Sequence, residues 1–210
     1  MKRYISIIAL SLILLVGCSS ANAQESLPHH YGSFNEVIYM PGTRLFFETT
    51  LDGLESRATH IVRGRIGNDA RIVYQHSDPY DPSRITRGDN TVSLEIFEVI
   101  AGNLTVGETI SILEPYYIID GVFFTFADYM PSTAYQEYIF FLSAQLGDRF
   151  PENLRGRFPV VNDERGRFPV LNDTRADIQG FSSADLGLGT YANAELYMRL
   201  WQEVIDAYMN

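Results

Sequence analysis

The feature that most constrains the fold is a pair of apolar runs separated by Asp120-Gly121. A two-residue turn of type I′ needs positive φ at both central positions, and Asp-Gly meets that need at little cost. The sequence therefore predicts an antiparallel hairpin with arms at Tyr116–Ile119 and residues 122–125. Both faces of this hairpin are apolar, so it is either buried on both sides or presents aromatic rings to a ligand. The predicted ligand-binding rings are those of Tyr116, Tyr117, Phe123 and Phe124.

Further strand patterns surround this hairpin. Alternation of apolar and polar residues predicts strands at His60–Ile66, 91–100 and 109–113, and an apolar run predicts one at 135–142. Within the second of these the alternation shifts at Phe97, which predicts a β-bulge. The segment 76–90 is rich in proline, aspartate and glycine, so we expect a loop there.

Two helices are predicted at opposite ends of the strand region. Residues 49–58 have leucines at helical spacing and a threonine at position 49 or 50 that can cap the first turn. Residues 193–209 form an amphipathic pattern, with Asn193 as the predicted cap. Its apolar stripe predicts packing against the strand region. The stripe consists of Tyr197, Leu200, Trp201, Val204 and Tyr208.

A ten-residue repeat lies between the last strand and the second helix. Residues 156–165 read GRFPVVNDER and residues 166–175 read GRFPVLNDTR, so eight of ten positions match. Two copies are too few for a solenoid, which needs about three units to bury a core. We expect a duplication that lengthened one hairpin or loop, with Phe158 and Phe168 on the same side. The alternative is a repeated ligand-contact motif with Arg157 and Arg167 as paired anchors.

Charge and cysteine content exclude several functions. The formal net charge is −10 at pH 7, and the only lysine is Lys2. An acidic chain without a basic run argues against binding to nucleic acid. Cys18 is the only cysteine, so the residues after it cannot form internal disulfides, thiolate metal sites or a cysteine nucleophile.

The N-terminal segment has the pattern of an export signal. Two basic residues precede an apolar run over 5–16, which has the length of a signal-peptide core and is short for a bilayer span. The run ends in Leu15-Val16-Gly17-Cys18, which resembles the bacterial lipobox. This resemblance implies that a diacylglyceryl group is attached to Cys18 and that the chain is cut before it. Ala21-Asn22-Ala23 also fits ordinary signal cleavage, so a secreted soluble protein remains the alternative.

These patterns divide the chain into five parts. We expect a signal peptide at 1–17, a lipidated tether at 18–36 and a β-rich, barrel-like domain at 37–175. A linker at 176–192 and a helix at 193–209 that packs on the domain complete the organisation. The predicted location is the cell membrane or envelope, with the domain outside the cytoplasm.

A wider resemblance covers roughly residues 50–170. It is carried by the segments ATHIVRGRI from Ala58, EVIAGN from Glu98, EYIFFL from Glu137 and GRFPV from Gly156. In the order and spacing of these segments, the chain resembles a group of exported bacterial proteins of uncharacterised function with a small OB-like β-barrel. In outline it is also similar to the netrin and metalloproteinase-inhibitor module. The resemblance implies a mainly β, α+β fold: a small antiparallel barrel with a short N-terminal helix and a C-terminal amphipathic helix. The inhibitor family inserts an N-terminal cysteine that this domain lacks, so no functional residue is carried over.

No chemical motif for catalysis stands out. The sequence contains no nucleophile elbow, zinc-protease helix motif, P-loop or dinucleotide-binding glycine motif. His29 and His30 lie in the tether, where solvated chain is expected. His76 shares the segment 76–90 with several aspartates, but the spacing of a calcium loop is absent. We therefore predict no metal, cofactor or catalytic residue.

Two functional hypotheses follow. The first is a non-enzymatic module, anchored in the membrane through Cys18, that binds another envelope protein or a small ligand. The second is an envelope hydrolase that uses paired carboxylates, which an acidic chain always allows. A cleft that gathers two carboxylates, or a histidine with an acid, would favour the second.

Overall fold

A computed structural model describes residues 36–40, 48–77, 80, 85–126, 129, 131–161, 166–170 and 194–209. The predictions for Cys18, for His29 and His30 and for the linker at 176–192 lie outside these residues.

In chain order, the elements are strand β1 (Glu36–Met40), helix α1 (Leu51–Arg57), strands β2 (His60–Ile66), β3 (Arg71–Ser77), β4 (Ile85–Ala101), β5 (Thr109–Glu114), β6 (Tyr116–Ile119), β7 (Val122–Phe126) and β8 (Glu137–Leu142), a 3-10 helix (Glu152–Leu154), strands β9 (Phe158–Pro159) and β10 (Arg167–Pro169), and helix α2 (Ala194–Tyr208). The described part is mainly β with two α-helices, which confirms the α+β class.

The larger sheet has the strand order β10-β8-β2-β4-β5-β9, and β3 pairs with β4. Its neighbours are antiparallel except for β5 and β9, which run parallel. The chain after β9 turns onto β8, where the amide of Val161 donates to the carbonyl of Phe141 at 2.8 Å. Residues 158–161 therefore contact both β5 and β8, and the sheet is curled.

The smaller sheet has the order β1-β7-β6 and contains the predicted hairpin. Asp120 and Gly121 have φ values of 52° and 78°, the positive values that a type I′ turn requires. The strands pair in register from Tyr116 opposite Thr125 to Ile119 opposite Val122. The hairpin prediction is confirmed.

The larger sheet buries apolar side chains on both of its faces. The concave face encloses one cluster, which includes Val62, Leu94, Ile96, Ile112, Phe140 and Phe158. The convex face at β8 and β2 carries a second cluster, in which Ile61, Ile139, Phe141 and Phe168 pack against Leu54 of α1 and Tyr197, Leu200, Trp201 and Val204 of α2. The two helices thus cover one half of the convex face, and the predicted stripe of α2 lies against it.

A local capping pattern explains the start of α1, whereas Asn193, the predicted cap of α2, lies outside the described residues. The hydroxyl of Thr50 accepts a hydrogen bond from the amide of Gly53, so Thr50 caps α1 as predicted. The amide of Leu51 donates to Glu203 of α2 at 3.3 Å, and Arg199 of α2 donates to the carbonyl of Thr49 at 3.0 Å. These contacts join the start of α1 to α2 on the same face of the sheet. Within the described residues, no helix is both long and apolar enough to cross a bilayer.

The predicted loop at 76–90 is wrong in its described part. Strand β3 reaches Ser77 and strand β4 begins at Ile85, so His76 and residues 85–90 lie in paired strands. The polar composition of this segment indicated a loop, but polar groups in it form hydrogen bonds with a neighbouring strand. The side-chain amide of Asn90 donates to the carbonyl of Tyr116 at 3.0 Å. A side chain on Gly88 would clash with the ring of Tyr117, so this glycine serves packing rather than a turn.

Other strand predictions need smaller corrections. The bulge at Phe97 is confirmed, because Arg63 pairs with Glu98 and Gly64 with Ile96, which leaves Phe97 without a partner in the register. The strand predicted from residue 135 begins at residue 137 instead. Tyr135 has a φ of 60°, which is incompatible with a strand.

The repeat does not lengthen a single hairpin. Its first copy supplies β9, which pairs with β5, and its second copy supplies β10, which pairs with β8. Phe158 packs into the concave cluster and Phe168 into the convex cluster, so the expectation that both face the same side is wrong. Spacing within an extended chain could not predict this, because the two copies are not parts of one strand.

Candidate binding groove and a buried ion pair

An open groove of about 350 Å³ lies on the outer side of β2, β4 and β5. Its position follows from alternation in the strands, since the neighbouring Leu94 and Ile110 point into the concave core. The groove lies outside the part of the sheet that the helices cover, beside the first residue of β8, where Arg65 pairs with Glu137. It is lined by Arg65, Ile66, Gly67, Ser93, Glu95, Thr109 and Tyr135.

Tyr135 is held at the rim of this groove in an unusual backbone conformation. Its φ of 60° lies in the left-handed region, which a non-glycine residue adopts at a cost of roughly 1–2 kcal/mol. Two backbone hydrogen bonds fix it there: the amide of Tyr135 donates to the carbonyl of Ile66 at 2.8 Å, and the amide of Ile66 donates to Gln136 at 3.1 Å. The residue is nevertheless 66% exposed.

The polar side chains of the groove are held in place by one another. Arg65 donates to the Glu95 carboxylate at 3.1 Å, and its guanidinium lies over the ring of Phe97, 4.8 Å from the centroid. Asp69 accepts from both the amide and the hydroxyl of Ser93, at 2.9 and 2.8 Å. The groove therefore offers oriented donors and acceptors beside an exposed ring.

Gly67 keeps this groove open. A side chain at this position would clash with the Ser93 hydroxyl. The amide of Gly67 also donates to the carbonyl of Ser93 at 2.9 Å, so the backbones of the two segments lie close together. Any larger residue would therefore disturb the pair formed by Ser93 and Asp69.

A second polar cluster is entirely buried. Arg167 is 1% exposed and Glu114 is 0% exposed, and their closest charged atoms, Nη1 and Oε1, are 3.4 Å apart. The same carboxylate oxygen accepts from the hydroxyl of Tyr129 at 2.5 Å and from the amide of Ser132 at 2.9 Å. Arg167 also donates to the Ser132 hydroxyl at 2.5 Å, and its guanidinium lies 4.6 Å from the ring centroid of Tyr129.

Burial changes the acid–base behaviour of this cluster. It raises the pKa of the Tyr129 phenol well above its ordinary value, and the nearby Glu114 carboxylate adds to that rise. Burial lowers the pKa of Arg167, but Tyr129, Tyr138 and Glu114 raise it, and the net shift is upward. The guanidinium thus stays charged and the phenol neutral at physiological pH. Because solvent does not reach the ion pair, we assign it the role of joining β5 and β10 to Tyr129 and Ser132.

The predicted aromatic site is largely inside the protein. Tyr116, Tyr117 and Phe123 are buried, and Phe124 is half-buried. Tyr117 stacks on Phe124 with ring centroids 4.7 Å apart, and Tyr116 lies 5.5 Å from Phe123. Three of the four rings therefore act as core residues here, and only Phe124 retains partial access to solvent.

The two repeat arginines lie in different surroundings. Arg167 is enclosed by the buried cluster, whereas Arg157 is half-buried and donates to the carbonyl of Arg155 at 3.1 Å. Burial and the charge of Arg71 lower the pKa of Arg157. The structure does not bring the two side chains together as paired anchors.

The histidines in the described part make no metal site. His60 contacts the Thr59 hydroxyl at 2.9 Å and the Asn103 side chain at 2.8 Å, and its ring packs edge-on against Phe158. His76 lies in β3, opposite Arg87. Among the described residues, no group of three or more His, Cys, Asp or Glu side chains could hold a metal ion.

Sequence reasoning missed both the groove and the ion pair. Arg65 and Glu95 lie on different strands, and nothing local in the sequence pairs them. The one signal was the polar side of the alternating strands, where Arg65, Ser93 and Glu95 are found. No known family model matches the chain, and no curated protein is significantly similar to it.

Proposed function

We propose that this protein is a lipid-anchored, non-enzymatic binding module of the bacterial envelope, built on an OB-like barrel. The order β2-β4-β5-β9-β8, with the chain after β9 bonded to β8, supports this barrel. OB-folds are small, partly open Greek-key barrels that bind ligands on the face of their second and third strands. In this chain those strands correspond to β4 and β5, which line the groove. The fold-level analogy directs attention to the groove but does not identify a ligand.

The observation that carries the proposal is the division of the convex face. Helices α1 and α2 cover the half at β8, while the half at β4 and β5 keeps the polar groove. The Glu95 carboxylate lines the groove and is paired with Arg65, and the Asp69 carboxylate beside it accepts from both the amide and the hydroxyl of Ser93. The buried carboxylate of Glu114 has no access to solvent. Because each exposed carboxylate at the groove is held by a partner within the protein, this arrangement favours binding over hydrolysis by a pair of free carboxylates.

The proposed location at the membrane rests on the N-terminal segment. A diacyl anchor supplies two hydrocarbon chains, which is what stable membrane attachment requires. Replacing Cys18 by Ser should move the protein from the membrane fraction to the soluble exported fraction. Ala23→Asp, which spoils the alternative cleavage site, should leave it in the membrane. Unchanged membrane association of the Cys18 variant would contradict the lipid anchor.

The groove can be tested in intact cells. A photo-crosslinking residue in place of Thr109, which lines the groove, should trap an envelope component. The same residue in place of Gln202, exposed on α2, provides the control. Equal trapping at both positions would contradict the assignment of the groove as the binding site.

A further inference from the structure

We infer that Arg71 and Arg157 together form a binding site for a phosphate group. Arg71 is the first residue of β3, and Arg157 directly precedes β9. Neither residue lines the groove between β2, β4 and β5, so this is a second site, separate from the one that carries the proposed function.

The two arginines are brought together by contact between their segments. The side-chain amide of Asn153 donates to the carbonyl of Val73 in β3, which joins the chain before β9 to that strand. Burial and the charge of Arg71 both lower the pKa of Arg157, so the two guanidinium groups lie within range of each other's charge. Two positive charges from distant parts of the sequence therefore share one region of the surface.

Neither arginine is neutralised by a carboxylate in the described part of the chain. Six other described arginines form ion pairs: Arg57, Arg63, Arg65, Arg155, Arg167 and Arg199. Arg71 is exposed and, among the described residues, has neither an ion pair nor a side-chain hydrogen bond. The chain has a formal net charge of −10, so carboxylates are plentiful. Two neighbouring cations without a carboxylate in such a chain are better explained by an anion that comes from outside.

The guanidinium of Arg157 is oriented with one of its edges free. Its Nη1 donates to the carbonyl of Arg155 at 3.1 Å. Nε and Nη2 form the opposite edge, whose parallel N–H bonds match two oxygens of a phosphate. Nε is buried and has no hydrogen-bond partner among the described residues, and a buried donor without an acceptor is destabilising. The residue as a whole is only half-buried, so an anion can approach from solvent and supply that acceptor.

The charge of the site favours a phosphate monoester over other anions. A monoester carries about −1.5 to −2 charges at pH 7 and three acceptor oxygens, so two guanidinium groups balance it, whereas a carboxylate needs only one. A long polyanion would extend past the two arginines over an acidic surface, which argues against nucleic acid. Soluble phosphate monoesters and the head group of phosphatidic acid share this chemistry.

Binding of inorganic phosphate is measured by titration calorimetry on the full chain in neutral detergent. The ionic strength is kept low because salt screens exposed charges. The parent chain should bind phosphate with a Kd at or below about 1 mM. Arg71→Gln and Arg157→Gln should each weaken binding at least about tenfold, because each removes a charge-assisted hydrogen bond.

Arg149→Gln is the matched control. Arg149 is exposed, lies over the ring of Phe150 and has no ion pair among the described residues. Its variant loses the same charge and should bind phosphate within about twofold of the parent chain. Because Arg71 is exposed, Arg71→Gln tests the site even if Arg157→Gln fails to fold.

Three results would overturn the inference. One is the absence of phosphate binding by the parent chain at about 10 mM. Another is an equal loss of affinity in Arg71→Gln and Arg149→Gln, which would attribute binding to general charge. The third is acetate binding as tightly as phosphate, which would refute the phosphate class.

Two competitors then identify the source of the phosphate group. Glycerol 3-phosphate in solution and phosphatidic acid in the micelle are each tested for displacement of inorganic phosphate. Displacement by glycerol 3-phosphate alone assigns a soluble monoester, and displacement by phosphatidic acid as well assigns a lipid head group. Displacement by neither overturns the assignment of a monoester.

Discussion

Replacing Arg167 by methionine should destabilise the protein strongly, because it leaves the carboxylate of Glu114 buried without its counter-charge. Both side chains are inaccessible to solvent, with exposures of 1% and 0%. Methionine occupies a volume similar to the aliphatic part of arginine, so the change removes mainly the charge and the hydrogen bonds. Breaking a buried pair by removing one partner costs about 3–5 kcal/mol.

The repeat supplies a matched control for this experiment. Arg157 occupies the corresponding position of the first copy, with the same neighbours in sequence. It is half-buried, and its Nε finds no hydrogen-bond partner among the described residues. Arg157→Met should therefore change the free energy of unfolding by no more than about 1 kcal/mol.

The assay is urea unfolding followed by tryptophan fluorescence. Trp201 is the only tryptophan, and its indole donates to the carbonyl of Pro169 at 2.9 Å, two residues beyond Arg167. With a urea dependence of about 1–3 kcal/mol per molar, the midpoint for Arg167→Met should fall by about 2 M. The fluorescence signal reports directly on the strand that carries the substitution.

A second substitution tests the cause. Glu114→Gln keeps an acceptor for Tyr129 and Ser132 but removes the charge. Combined with Arg167→Met, it should recover at least about 1 kcal/mol, since no buried charge is then left unpaired. Equal midpoints for the two arginine variants, or strictly additive losses in the double variant, would refute the buried-charge explanation.

Two further predictions concern backbone positions. Gly88→Ala should lower the free energy of unfolding by about 1–3 kcal/mol, because the added methyl group meets the buried ring of Tyr117. Gly147→Ala, which has open space around it, should leave the free energy of unfolding nearly unchanged. Equal shifts of the melting temperature in the two variants would contradict this explanation. Tyr135→Asn should raise the free energy of unfolding by about 0.5–1 kcal/mol, since asparagine tolerates positive φ, and a loss of stability in urea unfolding would show that the ring supports the fold.

The parts of the fold that the sequence predicted are those fixed by local chemistry. The turn at Asp120-Gly121 needs only its own two residues, and the cap at Thr50 needs only the first turn of its helix. The apolar stripe of α2 likewise depends on spacing within one segment. In these cases the tertiary contacts agree with the local preference.

The parts that could not be predicted depend on partners distant in the sequence. Residues 85–90 look like a loop until Asn90 meets the carbonyl of Tyr116 across the sheet. The conformation of Tyr135 is set by Ile66, nearly seventy residues earlier. The two copies of the repeat have nearly the same sequence, yet of the two arginines only Arg167 forms an ion pair with Glu114. Sequence identity between the copies carries no information about which strand each will join.

Helix α2 also determines when the fold can be completed. Its side chains donate to the carbonyls of Arg167 and Pro169, and it covers apolar residues of β2 and β8 that were synthesised long before it. Until residues 194–208 leave the ribosome, that apolar face lacks the cover of α2, and the hydrogen bonds between α2 and the start of α1 span about 150 positions of the chain. A growing chain is thus kept from reaching its final fold until α2 has been made. For the export route proposed above, this delay leaves the polypeptide unfolded and able to thread through a translocation channel, with folding completed on the far side of the membrane.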